Sequence, residues 1–198
     1  MVRVLLGSIV ASVAMLIIGF IFFATPLSGL HLRQVDNGKA AAVQQSLAAN
    51  LPQTGTYAVP GASTAEQTVM YGQGPIATIH YNSRGFSTGD SGAIIGGLVL
   101  DFLVALLIGA ALIGIDRRVP DFASRAKVVL LFSGAATAYT HLGQPIWYHH
   151  DWPHFIYAFI ADFAALAAGG LIIARWFLPR IKAAPAASDY RDEAPPAA

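Results

Sequence analysis

Three apolar stretches of more than 20 residues limit what this chain can fold into. Residues 1–24 contain one charged side chain, Arg3, residues 93–115 contain one, Asp101, and residues 153–174 contain one, Asp162. Each stretch reaches the length of about 20 apolar residues that a helix needs to cross a bilayer core. Only 12% of the chain is charged, against roughly a quarter in an ordinary soluble domain. The sequence therefore predicts an integral membrane protein.

A weaker apolar stretch, residues 128–142, lies between the second and third strong ones. It is short, but it is needed to bring the chain back across the membrane. We therefore predict an integral membrane all-α bundle of four transmembrane helices with a small α+β extracytoplasmic insertion. The predicted spans are residues 1–24, 92–115, 128–142 and 153–178; the segments between them are 25–91, 116–127 and 143–152, and a tail follows at 179–198.

The basic residues are distributed unevenly across this arrangement. Of 12 lysines and arginines, nine lie on the side of the N-terminus, the 116–127 loop and the tail, and three lie on the other side. Because cytoplasmic loops carry an excess of basic residues, both termini are predicted to be cytoplasmic. Cleavage of residues 1–24 as a signal peptide is a weaker alternative, since the apolar run is longer than a usual signal core. The chain has no cysteine, which excludes disulfides and thiol chemistry.

The predicted insertion, residues 25–91, contains one helix and a β-ribbon. Asp36 is a plausible N-cap for a helix that ends at Asn50, and residues 54–61 and 74–82 are predicted strands bracketed by glycine and proline. Such a segment is too small to bury a core alone. It should therefore pack on the bundle, on a partner protein or on a second copy. The Ala- and Pro-rich tail is predicted to be disordered and cytoplasmic.

Polar residues within the apolar stretches form the most specific prediction. Asp101 and Asp162 lie about 12 and 13 Å from the outer ends of their spans, at 1.5 Å per residue. The third span places hydroxyl groups and one histidine on a single helix face at i, i+4 and i+8. We predict one interior polar cluster made of Asp101, Asp162, Ser133, Thr137, Thr140 and His141.

This cluster has a structural and a functional interpretation. It could supply interhelical hydrogen bonds of about 0.6 kcal/mol each that set helix register. It could also be a proton or cation path opening outward through His141, or a pocket for a small polar or lipid-like ligand. The sequence favours the structural interpretation, because it offers no basic residue or second buried histidine to complete a relay.

The stretch 141–155, HLGQPIWYHHDWPHF, is predicted to be mainly an outer rim. Pro153 should lie in the first turn of the last helix, capped by Asp151 or Trp152, which leaves His150 outside that helix. A metal site made of His149, His150 and His154 is a weaker alternative, since a structural site needs three or four ligands. The aromatic belt at the membrane interface is predicted to contain Trp147, Tyr148, Trp152 and Tyr157.

The chain resembles a family of small bacterial inner-membrane proteins of unknown function. The resemblance depends on a "GTYxxPG…GPxAxIxY" pattern in the insertion and on a Trp-rich outer loop. It implies the bacterial inner membrane as the location and the multi-pass architecture, and it implies no reaction. The matching residues are Thr54, Gly55, Thr56, Tyr57, Pro60 and Gly61, then Gly74, Pro75, Ala77, Ile79 and Tyr81, and finally Trp147, Trp152, Pro153 and Tyr157.

The sequence contains no phosphate loop, nucleophile elbow or HExxH pattern, and too few basic residues for nucleic acid binding. We therefore predict a non-enzymatic protein without a cofactor, whose partners are the lipid bilayer and either another protein or further copies of itself. Its predicted role is an accessory, assembly or structural subunit of a membrane complex. The alternatives are a small transporter or proton-coupled permease using Asp101 and Asp162 and, more weakly, an extracytoplasmic metal-binding protein.

Overall fold

A computed structural model describes residues 2–179, which divide into two compact units. The ribbon unit comprises Gln34–Asp90, and the helical unit comprises the residues on either side of it. The predicted tail lies, from residue 180 onward, outside the described residues. The elements in chain order are α1 (Val2–Phe23), a 3₁₀ turn (Pro26–Leu30), α2 (Asn37–Asn50), β1 (Gly55–Val59), α3 (Ala65–Gln73), β2 (Ala77–Tyr81), α4 (Ser91–Gly114), α5 (Phe122–Thr137), a π-helical turn (Ala138–Leu142), α6 (Gly143–Tyr148), α7 (Trp152–Ile172) and a second π-helical turn (Ile173–Phe177).

Three helices of the helical unit are long and apolar enough to cross a membrane. They are α1, α4 and the continuous helix Trp152–Phe177, with 22, 24 and 26 residues. At 1.5 Å per residue these helices measure about 33 to 39 Å, which exceeds a bilayer core of about 30 Å. The mainly helical fold with a small sheet agrees with the predicted class, whereas a fourth span and insertion into a membrane remain predictions.

The helix predicted at residues 128–142 is longer at both ends. Asp121 caps α5 by accepting a hydrogen bond from the backbone N–H of Ser124, so the helix begins six residues before the predicted boundary. It then runs on through the π-helical turn and α6. Pro145, which cannot donate to a helical ladder, lies in the first turn of α6, shortly after that π-helical turn ends at Leu142. Most of the loop predicted at 143–152 is therefore helical, and only residues 149–151 lie outside a helix.

The helices of this unit are arranged around α1, which packs on both α4 and α7, while α5 packs on α7. Glycines allow close approach at these crossings. A Cβ added at Gly109 of α4 would lie 2.5 Å from Val4, and one added at Gly170 of α7 would lie 2.5 Å from Val129. Gly96, also on α4, faces open space instead. The core is made of Val4, Ala11, Met15, Ala105, Leu112, Val129, Ile173, Ala174 and Leu178.

A buried arginine, Arg125, connects two segments of the chain at one end of the helical unit. The side chain of Arg125 is only 1% exposed. Its Nε donates to the carbonyl of Val119 at 2.9 Å, and its Nη2 donates to the carbonyl of Pro179 at 2.7 Å. Backbone carbonyls thus satisfy a charge that would be costly to bury alone. In the sequence, Arg125 counted only as one of the nine basic residues that predict the cytoplasmic side. In the structure it also connects the start of α5 to the end of the last helix.

The ribbon unit has the predicted helix and ribbon, with one additional helix. Asp36 caps α2, accepting from the backbone N–H of Lys39 at 2.9 Å, and this bond lowers the pKa of the Asp36 carboxyl. The strands β1 and β2 pair antiparallel, with Tyr57 opposite Ile79. Between them lies α3, which the sequence analysis missed, capped by Thr64. No residue from 34 to 90 is buried, in agreement with the expectation that this segment cannot form a core of its own.

The close helix crossings predict how adding one methyl group at a glycine changes the stability of the helical unit. Replacing Gly109 with alanine should destabilise the helical unit by about 1–3 kcal/mol, because the branched Val4 side chain cannot move away easily. Gly96→Ala is the matched control in the same helix and should be neutral or slightly stabilising. Thermal unfolding of the full-length protein in detergent measures both. Equal unfolding temperatures for the two variants would contradict this packing.

Candidate functional site

A histidine–aspartate pair lies between the α5–α6 helix and α7. The Nε2 atom of His141 is 2.7 Å from Oδ2 of Asp162. His141 is carried by the π-helical turn, whose extra residue per turn changes the direction in which its side chains point. Its side chain is 16% exposed, and that of Asp162 is 47% exposed. His141 and Asp162 therefore form a direct, partly exposed pair between two helices.

Asp101 of α4 lines the same cavity as this pair. The cavity has a volume of about 230 Å³ and collects residues from α1, α4, the α5 region and α7. It thus brings two carboxylates and one imidazole together from three different helices. Asp101, Asp162 and His141, three of the six residues of the predicted cluster, thus line one cavity. The other walls are Met15, Leu100, Val104, Ala136, Thr137, Thr140, Ala165 and Leu166.

The three hydroxyl residues of the predicted cluster do not all line the same cavity. Thr137 and Thr140 line the cavity, but each hydroxyl donates to a backbone carbonyl of its own helix, to Ser133 at 2.8 Å and to Ala136 at 2.9 Å. Ser133 is buried one turn deeper and lines a separate apolar cavity of about 290 Å³. Ser133 is therefore not among the residues that line the carboxylate cavity.

The stretch 141–155 divides into an exposed rim and an internal contact. Trp147, Tyr148 and Trp152 are all substantially exposed, as an interfacial belt requires. Asp151 caps α7 and accepts from the backbone N–H of His154, so the predicted cap is confirmed. Tyr157 departs from the belt: its hydroxyl donates to the carbonyl of Phe22 at 2.6 Å.

The three loop histidines do not form a group of metal ligands. His149 is exposed and has a left-handed backbone conformation with φ 53°. His150 stacks between Tyr148 and Phe155, whereas His154 contacts His31. Within residues 2–179 no group of three or more His, Cys, Asp or Glu side chains could hold a metal ion.

His154 instead forms a second histidine contact that sequence reasoning missed. Its Nδ1 lies 2.9 Å from Nδ1 of His31, which follows the 3₁₀ turn. The His31 ring also stacks on Tyr157 at 4.6 Å between centroids, and its Nε2 is buried without a hydrogen-bond partner. Residues 123 positions apart meet here, so no local pattern could have predicted the pair. The only signal was a histidine close after the first apolar stretch.

Burial is the main cause of a lowered pKa for His31, and the neighbouring His154 lowers that pKa further. Removing an imidazole from water disfavours its charged form, and a second histidine that can also become positive adds repulsion. The other groups facing this ring are Tyr157 of α7 and the Phe23 ring of α1, and Asp151 caps α7 one turn before His154.

No family model matches the chain, and neither the curated proteins nor the solved structures include a significantly similar one. The resemblance to small bacterial inner-membrane proteins therefore stays a prediction. Function has to be inferred from the residues of the site.

The lowered pKa of His31 predicts a pH-dependent stability. As pH falls below about 6.5, the ordinary histidine value, the unfolded chain takes up a proton before folded His31 does. The unfolded state then binds more protons, so stability falls with pH from there down to the lowered folded pKa. Denaturant unfolding at pH 8 and pH 5 measures this loss, which should be reduced in His31→Gln.

The matched control is His149→Asn, because asparagine tolerates the left-handed backbone and the His149 side chain is exposed. It should keep the full pH dependence of the unmodified protein. The same pH dependence in His31→Gln and in the unmodified protein would contradict the role given to His31.

Proposed function

We propose that this chain is a small proton-coupled transporter whose proton-binding site is the cluster of Asp101, His141 and Asp162. The observation that carries the proposal is the 2.7 Å contact between His141 and Asp162 in a cavity shared with Asp101. The sequence alone favoured an accessory subunit, because it offered no basic residue or second buried histidine to complete a relay. The direct bond between His141 and Asp162, beside a second carboxylate, is the reason for preferring the transporter here.

Physical arguments support a site that changes its protonation. Ionisable side chains within apolar helices are costly, and they mark ion or proton paths by default. Two carboxylates and one imidazole in one cavity can share protons in coupled steps. The half-exposed Asp162 side chain keeps the site accessible rather than sealed. A purely structural contact would gain little from a second carboxylate beside the pair.

The proposal predicts a proton flux that depends on this cluster. In proteoliposomes with an internal pH dye, a potassium diffusion potential should drive proton entry well above that in protein-free vesicles. Asp162→Asn should lower the flux by at least about tenfold, on the scale of removing one proton-transfer group, since asparagine keeps the shape but cannot ionise. Asp116→Asn, in the turn after α4, is the control and should leave the flux unchanged.

Correct folding of each variant is checked by its elution as a single species and by its unfolding temperature. A flux in Asp162→Asn equal to that of the unmodified protein would overturn the proposal. A flux no greater than that in protein-free vesicles would overturn it as well.

The ribbon unit favours a second candidate function, an accessory or assembly subunit. Among its residues none is buried, and large apolar side chains are exposed on both of its helices, with Val43 56% and Val69 60% exposed. A unit without a core is stabilised most readily by docking on another surface. In this role the ribbon unit would bind a partner protein or a second copy of the chain.

The second candidate predicts a loss of partner binding without a loss of folding. Replacing Val43 and Val69 together with serine should abolish a cross-linked product formed in native membranes. Because both side chains are exposed, the unfolding temperature of the isolated variant should hardly change. Gln45→Ser on α2 serves as the control. An identical cross-linking pattern for the double variant and the unmodified protein would exclude docking through these helices.

A further inference from the structure

Two cavities follow each other along facing turns of α4 and α5. The carboxylate cavity ends at Val104 on α4 and at Ala136 on α5. The apolar cavity of about 290 Å³ begins one turn further along both helices, at Ile108 and Ser133. One helical turn advances 5.4 Å, so the two cavities lie end to end. We call them together the α4–α5 groove.

The groove exists because its two walls pack mainly on other helices. The main contact of α4 is with α1, and that of α5 is with α7. The space between α4 and α5 is therefore left open instead of being filled by interlocking side chains. Its apolar half is bounded by aliphatic and aromatic residues such as Leu112, Val129 and Phe132.

The two halves of the groove differ in chemistry. One half presents the carboxyl groups of Asp101 and Asp162 together with His141. The other half offers almost only hydrocarbon, with the Ser133 hydroxyl at the boundary. A molecule complementary to both halves has a compact polar headgroup and a single apolar chain. Two carboxylates also determine the sign of the headgroup, since an anion would be repelled and a cation attracted.

We propose that the α4–α5 groove binds a single-chain amphiphile with a cationic, ammonium-type headgroup. The headgroup lies beside Asp101 and Asp162, and the chain lies along Ile108 and Leu112. This inference rests on the proposed function, because it names the substrate class of the same site.

Proton binding and amphiphile binding then exclude each other at the carboxylates. Protonated carboxyl groups are neutral and lose their attraction for the headgroup, whereas a bound cation keeps them ionised. By reciprocity, each ligand weakens the affinity of the other by the same factor. This competition gives the transporter a physical means of coupling proton entry to amphiphile release.

The experiment measures binding of radiolabelled dodecyltrimethylammonium to the full-length protein in lipid nanodiscs, with empty nanodiscs subtracted. This probe stays charged at every pH, so any pH dependence belongs to the protein. Saturable binding should weaken as pH falls, by on the order of tenfold per pH unit where one proton competes. Dodecanol has the same chain without the charge and should not displace the probe.

Substitutions test the two halves of the groove separately. Asp162→Asn and Asp101→Asn should each weaken probe binding at pH 8 by at least about tenfold, as expected for losing a close charge partner. Ala111→Phe fills the apolar half, whereas Leu107→Phe adds the same ring on α4 at a position that is 71% exposed and outside both cavities. Only the first of these two should weaken binding. The unfolding temperatures of both aspartate variants should equal that of the Asp116→Asn control, which shows that weaker probe binding does not come from misfolding.

The outcomes separate this inference from the proposed function. Probe binding that is unchanged in Asp162→Asn, or that dodecanol displaces equally well, would overturn the inference. If the proton flux of the unmodified protein is present but no saturable probe binding is found, the inference fails while the proposed function stands. If neither the flux nor probe binding is found, both fail.

Discussion

The close packing of α1 against α4 and α7 is the constraint on which the rest of the helical unit depends. Glycines at these crossings let side chains such as Val4 approach the facing backbone directly. Because α1 occupies the centre, α4 and α5 are held on different neighbours. The space left between them contains the carboxylates and, one turn further along, an apolar cavity. The candidate site is thus a consequence of which helices pack tightly and which do not.

Two histidine contacts of different character lie in this unit. His141 bonds to the Asp162 carboxylate at the edge of a cavity that Asp101 also lines. His31 bonds to another histidine, is stacked on Tyr157 and is 9% exposed. The first arrangement suits chemistry with a ligand, whereas the second joins the chain after α1 to the start of α7. Burial with an unpartnered ring nitrogen makes that second contact sensitive to pH.

The ribbon unit shows how far local sequence signals extend. Asp36 at the start of α2 and the glycine- and proline-bracketed strands were predictable, because capping and turn chemistry act within a few residues. The helix α3 was missed, since its nine residues, AEQTVMYGQ, form a short segment between two strand signals bracketed by glycine and proline. That this unit could not bury a core followed from its length and composition alone.

The sequence by itself determined the three long apolar helices and the caps at Asp36 and Asp151, because hydropathy and capping are local properties. It predicted that Asp101, Asp162 and His141 meet, but their lining of one cavity depends on which helices are neighbours. Only the tertiary structure decided that Ser133 lies outside the carboxylate site, that Tyr157 packs inward, that Arg125 is buried and that His31 meets His154. These outcomes depend on which helices are neighbours and on the π-helical turn that carries His141. Contacts between residues more than 100 positions apart, such as the one between the two histidines, leave no periodic trace in a single sequence.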